Sequence, residues 1–351
     1  MNKIKLGKKI VSFKSYPYLI AEIGVNHECS ISRAKNLIKL AKKGGADAAK
    51  FQTYKAELIT SKYAPSYWDT KKENTKNQYQ LFKKYDLFDE KHYKELFKYC
   101  RKIGIEFLST PFDHKAVDML NKYVSFFKVS SSDITNFPLL KKISSKKKPI
   151  LLSTGASSIT EVRKAYNFLK KHKCKEIVIM HCILNYPTKD KDANLNMISS
   201  LSKEFPNNII GYSDHTLPNK EMNIITTSYL LGARVIEKHF TLNKKLKGND
   251  HYHSMDFNDL KNLSQRLKKL KEIIGDKSKK FLKSELKSRK NARRSIVVKK
   301  LIKKNEIIRS KNLICKRPGT GIEPFKIEFV IGKRAKKNLK EDYIIKNKDI
   351  Y

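Results

Sequence analysis

The sequence predicts an α/β protein built on a (β/α)8 TIM barrel, and two observations carry this prediction. Between residues 18 and 274, short apolar segments alternate eight times with longer amphipathic segments. Polar or charged side chains recur where the apolar segments end, which is where the active sites of such barrels lie. At 351 residues the chain exceeds the roughly 250 residues of one barrel, so we expect a second, small domain.

The eight units follow one another along the chain. Strands are predicted at residues 18–23, 46–51, 105–108, 125–129, 149–152, 176–180, 209–211 and 233–237. Helices are predicted at residues 32–43, 90–103, 115–122, 137–143, 159–171, 195–205, 220–231 and 257–274. One long polar segment, 53–84, contains the only tryptophan, Trp68. Loops of that length inside a compact domain are usually functional.

Composition limits the classes of protein that the chain can belong to. The formal net charge of +42 suggests nucleic acid as a partner, but the basic residues are spread over nearly every predicted helix. We therefore expect no specific nucleic-acid binding. The five cysteines are odd in number and lack Cys-x-x-Cys spacing, which indicates a reduced, cytoplasmic protein. No run approaches the roughly 20 apolar residues of a membrane span, so no membrane association is expected.

The polar residues at the predicted strand ends indicate an anion site and a metal site. Two lysines and three serines there would satisfy the oxygens of an anion such as phosphate. These residues are Lys50, Lys128, Ser131, Ser153 and Ser213. His215 and His239 follow the last two strands, where a pair of imidazoles could hold a divalent ion with positions open for a substrate. A single histidine is more often a core or loop residue, but two at equivalent strand ends favour the metal.

The motifs that contain these residues resemble those of the bacterial sialic acid synthases, from about residue 17 to the C-terminus. That family includes N-acetylneuraminate synthase and its legionaminate and pseudaminate relatives. The motifs are Ala-Glu-Ile-Gly-Val-Asn-His (21–27), Lys-Phe-Gln-Thr (50–53), Ser-Thr-Pro-Phe (109–112), Leu-Ser-Thr-Gly (152–155), His-Cys-Ile-Leu-Asn-Tyr-Pro-Thr (181–188), Tyr-Ser-Asp-His-Thr (212–216) and Val-Ile-Glu-Lys-His-Phe-Thr (235–241). The resemblance implies a barrel domain at 1–275, a linker at 276–290 and an antifreeze-like (SAF) domain at 291–351.

The resemblance also implies an activity. The family condenses phosphoenolpyruvate with an N-acetylated hexosamine, such as N-acetylmannosamine or its 2,4-diacetamido analogue, to give a nine-carbon 2-keto acid and phosphate. The two lysines and three serines would hold phosphoenolpyruvate. His215 and His239 would hold manganese or magnesium, which polarises the sugar aldehyde. Glu22 would position the reacting water or act as a base.

The sugar site follows from the same resemblance. Asp133, where the family usually has glutamate, would act beside the aldehyde and engage the sugar hydroxyls. The other predicted sugar contacts are Gln52, Tyr186, Asp250 and Arg317. Arg317 would come from the SAF domain of a partner subunit, which implies a domain-swapped homodimer. Arg293 and the Asp250-His251 pair are closer to the legionaminate branch, whose sugar carries a second acetamido group.

Two other functions are compatible with parts of the sequence. A Schiff-base aldolase on the same barrel would use Lys50 or Lys128 as a nucleophile with a depressed pKa. A basic protein that binds anions or nucleic acid through net charge would show steep salt dependence without sequence preference. The second alternative gives no reason for His215 and His239 to occupy matching strand ends.

Overall fold

A ring of eight parallel strands forms the centre of the first of two units, Met1–Ile274 and Gly275–Tyr351. The computed structural model describes residues 3–68, 70–248 and 250–351. The strands of the first unit are β1 Lys3–Leu6, β2 Lys9–Ser12, β3 Tyr18–Gly24, β4 Ala48–Thr53, β5 Glu106–Pro111, β6 Phe127–Val129, β7 Ile150–Ser153, β8 Ile177–Cys182, β9 Ile210–Asp214 and β10 Val235–His239. Its helices are α1 Ile31–Gly44, α2 Ala56–Ile59, α3 Gln78–Tyr85, α4 Glu90–Ile103, α5 His114–Leu120, α6 Phe137–Ser144, α7 Ile159–Lys171, α8 Asn196–Glu204, α9 Asn223–Leu230 and α10 Phe257–Ile274.

The order of the strands is that of a barrel. The strands pair in the order β5-β4-β3-β10-β9-β8-β7-β6, so β10, the last strand of the ring along the chain, pairs with β3, the first. The two end strands, β5 and β6, lie side by side with Cα atoms within 8 Å, which nearly closes the ring. The predicted (β/α)8 barrel is therefore confirmed.

Capping residues in the sequence determine where helix α1 begins and ends. The side chain of Ser30 accepts a hydrogen bond from the backbone of Arg33 at the start of α1, and Gly45 closes the helix at φ +100°. The buried face of α1 comprises Ala34, Leu37, Ile38 and Ala41, at the three- and four-residue spacing of a helix stripe. A helix built in this way covers the outside of the ring and leaves the strand ends free to form the site.

Strand register fixes which side chains meet at the mouth. His239 of β10 pairs with Glu22 of β3, and Glu22 pairs in turn with Lys50 of β4. On the other side of β10, Glu237 pairs with Ser213 of β9. All five residues of β10 are buried, because this strand has neighbours on both sides and on both faces.

Two parts of the first unit differ from the sequence-based expectation. The segment 53–84 contains α2 and most of α3, and the indole of buried Trp68 donates a hydrogen bond of 3.0 Å to the carbonyl of Glu73. An antiparallel hairpin, β1–β2, precedes the ring, in a part of the chain for which we predicted no element. Its lysines and short strands obscure the alternation that would reveal a hairpin.

The second unit has its own apolar core. Its strands are β11 Ser295–Val298 and β12 Leu313–Lys316, which pair antiparallel, and its helices are α11 Leu286–Ala292 and α12 Ile327–Val330. The buried core includes Ile296, Val298, Ile302, Ile308, Val330, Leu339 and Ile345. The range expected as a linker, 276–290, includes most of α11. Within the described part of the chain, no helix combines the length and apolar character needed to cross a lipid bilayer.

Candidate active site

A small cavity of ≈ 50 Å³ lies at the mouth of the ring, and all five residues of the predicted anion site line it. Lys50 and Lys128 enter it from β4 and β6, and three hydroxyls come from Ser131, Ser153 and Ser213. The Oγ atom of Ser153 is buried and has no hydrogen-bond partner among the described residues. The cavity therefore offers two ammonium groups and a free hydroxyl to a small anion.

Two buried carboxylates hold the lysines in place. Nζ of Lys50 lies 2.8 Å from Oε2 of Glu22 and 3.4 Å from Oε1 of Glu237. Nζ of Lys128 lies 3.4 Å from the same oxygen of Glu237, which also accepts a hydrogen bond of 3.1 Å from Ser213. Burial alone would raise the pKa of Glu237, but Lys128 and Lys50 outweigh burial and lower this pKa to about 2. Glu237 is therefore ionised throughout the neutral range.

The two lysines differ in their acidity. Burial would lower the pKa of Lys50, but Glu22 and Glu237 together raise it above 10.5. For Lys128, burial dominates and, with repulsion from Lys50, lowers the pKa below 10.5 despite the attraction of Glu237. Lys50 is thus a permanent cation, whereas Lys128 loses its proton at a lower pH than an ordinary lysine.

A buried ion pair shapes the loop that carries His215. Nζ of Lys238 lies 2.7 Å from Oδ2 of Asp214 and donates a hydrogen bond of 2.6 Å to the carbonyl of Thr216. Oδ1 of Asp214 accepts hydrogen bonds from the hydroxyl of Tyr212, at 2.9 Å, and from the backbone of Thr216, at 3.0 Å. These bonds fix the chain on both sides of His215. In the motif Tyr-Ser-Asp-His-Thr, the imidazole of His215 is thus positioned by Tyr212, Asp214 and Thr216.

The two predicted metal ligands lie side by side. The ring centroids of His215 and His239 are 5.5 Å apart, and the ring of Tyr186 lies 4.1 Å from His215 and 5.9 Å from His239. Nδ1 of His215 donates to the carbonyl of Ile183 at 2.7 Å, which leaves Nε2 for a ligand.

A third histidine, absent from the sequence-based prediction, completes a cluster around His239. His239, Asp250 and His253 each offer one ligand atom, and these atoms lie within 4.8 Å of one another. Burial lowers the pKa of the His253 imidazole well below 6.5, although Asp250 opposes the effect, so this ring is neutral. Neither ring nitrogen of His253 has a hydrogen-bond partner among the described residues. A neutral imidazole with unpaired nitrogens, beside a second imidazole and a carboxylate, fits a divalent ion.

A larger cavity of ≈ 580 Å³ adjoins the small one. The two share five lining residues: Gln52, Phe112, Ser130, Tyr186 and His239. The predicted sugar contacts Gln52, Tyr186 and Asp250 line the larger cavity, as does Asp133. Its apolar lining comes mainly from the segment 53–85 and comprises Tyr54, Leu58, Ile59, Tyr67, Leu81, Phe82 and Tyr85. No lysine or arginine is among the described residues of this wall, although the chain has 76 of them.

The remaining predicted positions are Glu22, Asp133 and Arg317, and each lies in a different part of the structure. Glu22 lies in the small cavity and accepts a hydrogen bond of 3.1 Å from Gln52, whereas Asp133 lies only in the larger one, bonded to Asn136 at 3.0 Å. Burial raises the pKa of Asp133. Arg317 belongs to the second unit, where it is exposed.

Sequence reasoning gave no role to Glu237 and missed His253. Glu237 was visible at the end of a predicted strand, in Val-Ile-Glu-Lys-His, but only three-dimensional structure shows that it faces two lysines from other strands. His253 lies outside every predicted strand end. Its one sequence signal was a third histidine in a short stretch that also contains Asp250 and His251.

A barrel whose mouth holds buried lysines, carboxylates and imidazoles beside a large cavity defines an enzyme that acts on a small anionic substrate and a second, larger one. Comparison with family models makes the class specific. Residues 37–279 match the NeuB family, and residues 293–350 match the SAF domain. The chain belongs to the NeuB family of sialic acid synthases and ends in a SAF domain.

Named relatives cover nearly the whole chain. The N,N'-diacetyllegionaminic acid synthase of Campylobacter jejuni is 42% identical over 93% of this chain and 98% of the relative. The human N-acetylneuraminate-9-phosphate synthase is 33% identical over 93% of this chain and 90% of the relative. Among solved structures, the sialic acid synthetase of Leptospira borgpetersenii, in complex with citrate, has a TM-score of 0.72 at 30% identity and covers 82% of this chain and 94% of that one.

Proposed function

We propose that this enzyme condenses phosphoenolpyruvate with an unphosphorylated 2,4-diacetamido hexose and water, giving a legionaminate-type nonulosonic acid and phosphate. The observation that carries the proposal is the pair of adjoining cavities, one cationic and small, the other large and free of described cations. N-acetylmannosamine is the second candidate acceptor. It fits the same cavities but uses less of the apolar wall.

Phosphoenolpyruvate would occupy the small cavity. Its phosphate and carboxylate need cationic and hydroxyl donors, and Lys50, Lys128 and the free hydroxyl of Ser153 supply them. Glu22 forms an ion pair with Lys50, and Glu237 forms one with Lys128. These pairs would hold the ammonium groups in the orientation that the anion needs.

The reaction would join the two cavities at their shared wall. C3 of phosphoenolpyruvate forms a bond to C1 of the open-chain aldehyde, whose oxygen takes up a proton. Water adds to C2, and the resulting tetrahedral centre expels phosphate to leave the 2-keto acid. A divalent ion, manganese or magnesium, when bound by His215 and His239, supplies Lewis-acid polarisation of the aldehyde.

Glu22 would orient the reacting water molecule and accept its proton. Glu22 lines the small cavity, where Gln52 donates to Oε1 and the Lys50 ammonium lies beside Oε2. A carboxylate held in this way can orient a water molecule and accept its proton. Gln52 borders both cavities and is therefore placed to contact the acceptor as well.

The acceptor would occupy the larger cavity. An additional acetamido group and a 6-deoxy carbon add apolar surface, which the side chains of Leu58, Ile59 and Phe82 can cover. A 6-phosphate would need cationic partners, and the described wall provides none. The higher identity to a legionaminic acid synthase than to a 9-phosphate synthase supports the same choice. The N-acetyl end of the sugar would meet Arg317 of the partner subunit in a domain-swapped homodimer.

A phosphate-release assay tests this function. The enzyme would be given phosphoenolpyruvate and Mn²⁺ with the 2,4-diacetamido sugar, N-acetylmannosamine or N-acetylmannosamine 6-phosphate in parallel. We expect the highest kcat/KM for the diacetamido sugar and loss of turnover with EDTA or in His215→Ala. A preference for the 6-phosphate would contradict the acceptor proposal, and full activity of His215→Ala would contradict the metal role.

One observation favours a second chemistry, the Schiff-base aldolase. The lowered pKa of Lys128 would help this lysine to act as a nucleophile. Borohydride reduction in the presence of a keto substrate distinguishes the two reactions, since it would attach the substrate to Lys128 only if an imine forms. We expect no covalent product.

A further inference from the structure

His253 is a buried imidazole of the first unit for which the described residues offer no hydrogen-bond partner. Its exposed fraction is 0%, and neither Nδ1 nor Nε2 meets a described donor or acceptor. Buried polar atoms are almost always paired, because an unpaired one loses its bonds to water without compensation. Two unpaired nitrogens on one ring therefore indicate a partner that the described residues do not provide.

The surroundings of His253 indicate what that partner is. Nδ1 of His239 lies 3.2 Å from Oδ2 of Asp250, and the donor atoms of these residues and of His253 lie within 4.8 Å of one another. Neighbouring ligands of an octahedral ion are about 3 Å apart when bonds to the metal are about 2.1 Å. Two imidazoles and one carboxylate on one side of an ion are a common set for divalent metals.

The chain holds His253 in this position by bonds on both sides of it. The backbone of Met255 donates to the carbonyl of His239 at 2.8 Å, which ties the segment after His253 to the end of β10. The hydroxyl of Ser254 donates to the carbonyl of Asp250 and accepts a hydrogen bond of 3.0 Å from Asn26. The position of the ring is therefore set by backbone that is fastened to the barrel.

We propose that His253 is a further ligand of the divalent ion and acts with Asp250 beside His239. This proposal rests on the proposed function, which places an ion at His215 and His239. It adds a third imidazole and assigns Asp250 to the metal as well as to the sugar. The remaining coordination positions stay open to water and to the acceptor.

Binding of Mn²⁺, measured without turnover, tests the proposal. The protein is freed of metal with EDTA, and free Mn²⁺ is followed by electron paramagnetic resonance during a titration, with and without phosphoenolpyruvate. We expect His253→Ala and His253→Phe to raise the Kd at least about tenfold. The matched control is His181→Ala, which removes another buried imidazole whose Nε2 is bonded to the carbonyl of Ala193 at 2.8 Å. We expect it to leave the Kd unchanged.

Thermal unfolding of the metal-free variants separates a ligand from a packing residue. His253→Phe replaces two unpaired nitrogens by carbon, so the metal-free variant should unfold at the wild-type temperature or above it. Mn²⁺ should then raise its Tm less than it raises that of the wild type. A Kd within twofold of wild type in both His253 variants would overturn the inference and leave the proposed function standing. Absence of Mn²⁺ binding by the wild type would overturn both.

Discussion

Oε1 of Glu237 lies 3.4 Å from Nζ of Lys128, and both side chains are buried at the mouth of the barrel. The same oxygen faces Lys50 at 3.4 Å, so one carboxylate balances two cations that come from different strands. Because charges removed from water must be paired, Glu237 makes two buried lysines compatible with a folded barrel. An anion that bound as proposed would have to compete with Glu237 for the lysines.

We expect Glu237→Gln to destabilise the protein by about 3 kcal/mol, because the change leaves buried positive charge without its counterion. The measurement is the free energy of unfolding in urea. The control is Glu204→Gln, which removes a carboxylate from an exposed ion pair with Arg163 and should change stability little. Phosphoenolpyruvate should stabilise Glu237→Gln more than the wild type, since the anion then replaces the missing charge. Equal destabilisation by the two changes would contradict this account of Glu237.

The grouping of the two lysines and three serines could be predicted from sequence because the barrel itself brings these residues together. Parallel strands end at one rim, so Lys50 and Lys128 had to lie near each other once eight strand–helix units were recognised. The same reasoning placed His215 beside His239. These conclusions depend on strand ends, which short-range patterns in the sequence reveal.

The cluster of His239, Asp250 and His253 and the lining of the larger cavity could not be predicted in the same way. His253 is brought to His239 by long-range bonds such as that between Asn26 and Ser254, which no local pattern encodes. The apolar wall of the larger cavity comes from α2, α3 and the loops between them, in a segment that is polar on average. Tertiary contacts decide which of its side chains face inward.

The lowered pKa of Lys128 predicts a pH dependence for phosphoenolpyruvate binding. An ammonium with a folded-state pKa below 10.5 loses its charge at a lower pH than an ordinary lysine does. We therefore expect the KM for phosphoenolpyruvate to increase about ten- to a hundredfold when the pH is raised above the pKa of Lys128. This factor corresponds to the loss of one hydrogen bond from a charged donor. Lys128→Arg should abolish this increase, because guanidinium stays protonated there. An unchanged alkaline limb in Lys128→Arg would show that another group titrates.

Asp133 should affect the acceptor without affecting phosphoenolpyruvate. It lines the larger cavity and lies outside the lining of the small one. We expect Asp133→Asn to raise the KM for the sugar about tenfold, through loss of a charged hydrogen bond to a hydroxyl, and to leave the KM for phosphoenolpyruvate unchanged. The control is Asp118→Asn, on the exposed face of α5, where the carboxylate pairs with Lys142 and Lys146. Equal increases in the two KM values would show that Asp133 acts on both substrates and would contradict this prediction.

Substitution of Arg317 tests the proposed homodimer. The side chain is exposed in the second unit and has no role in the core of that unit. If the SAF domain of one subunit serves the barrel of the other, Arg317→Ala should raise the KM for the sugar far more than that for phosphoenolpyruvate. Steady-state kinetics with each substrate varied in turn would measure the difference, and equal effects would argue against a contact with the sugar.

Subunit mixing then decides whether Arg317 acts within its own chain or on its partner. His215→Ala and Arg317→Ala are each impaired as pure dimers, but a mixed dimer would contain one complete site if the SAF domain is exchanged. That site combines the barrel of the Arg317→Ala chain with the SAF domain of the His215→Ala chain. Random re-association should therefore restore about a quarter of wild-type activity at low sugar concentration. If each SAF domain serves its own barrel, both sites of the mixed dimer stay defective, and mixing restores nothing.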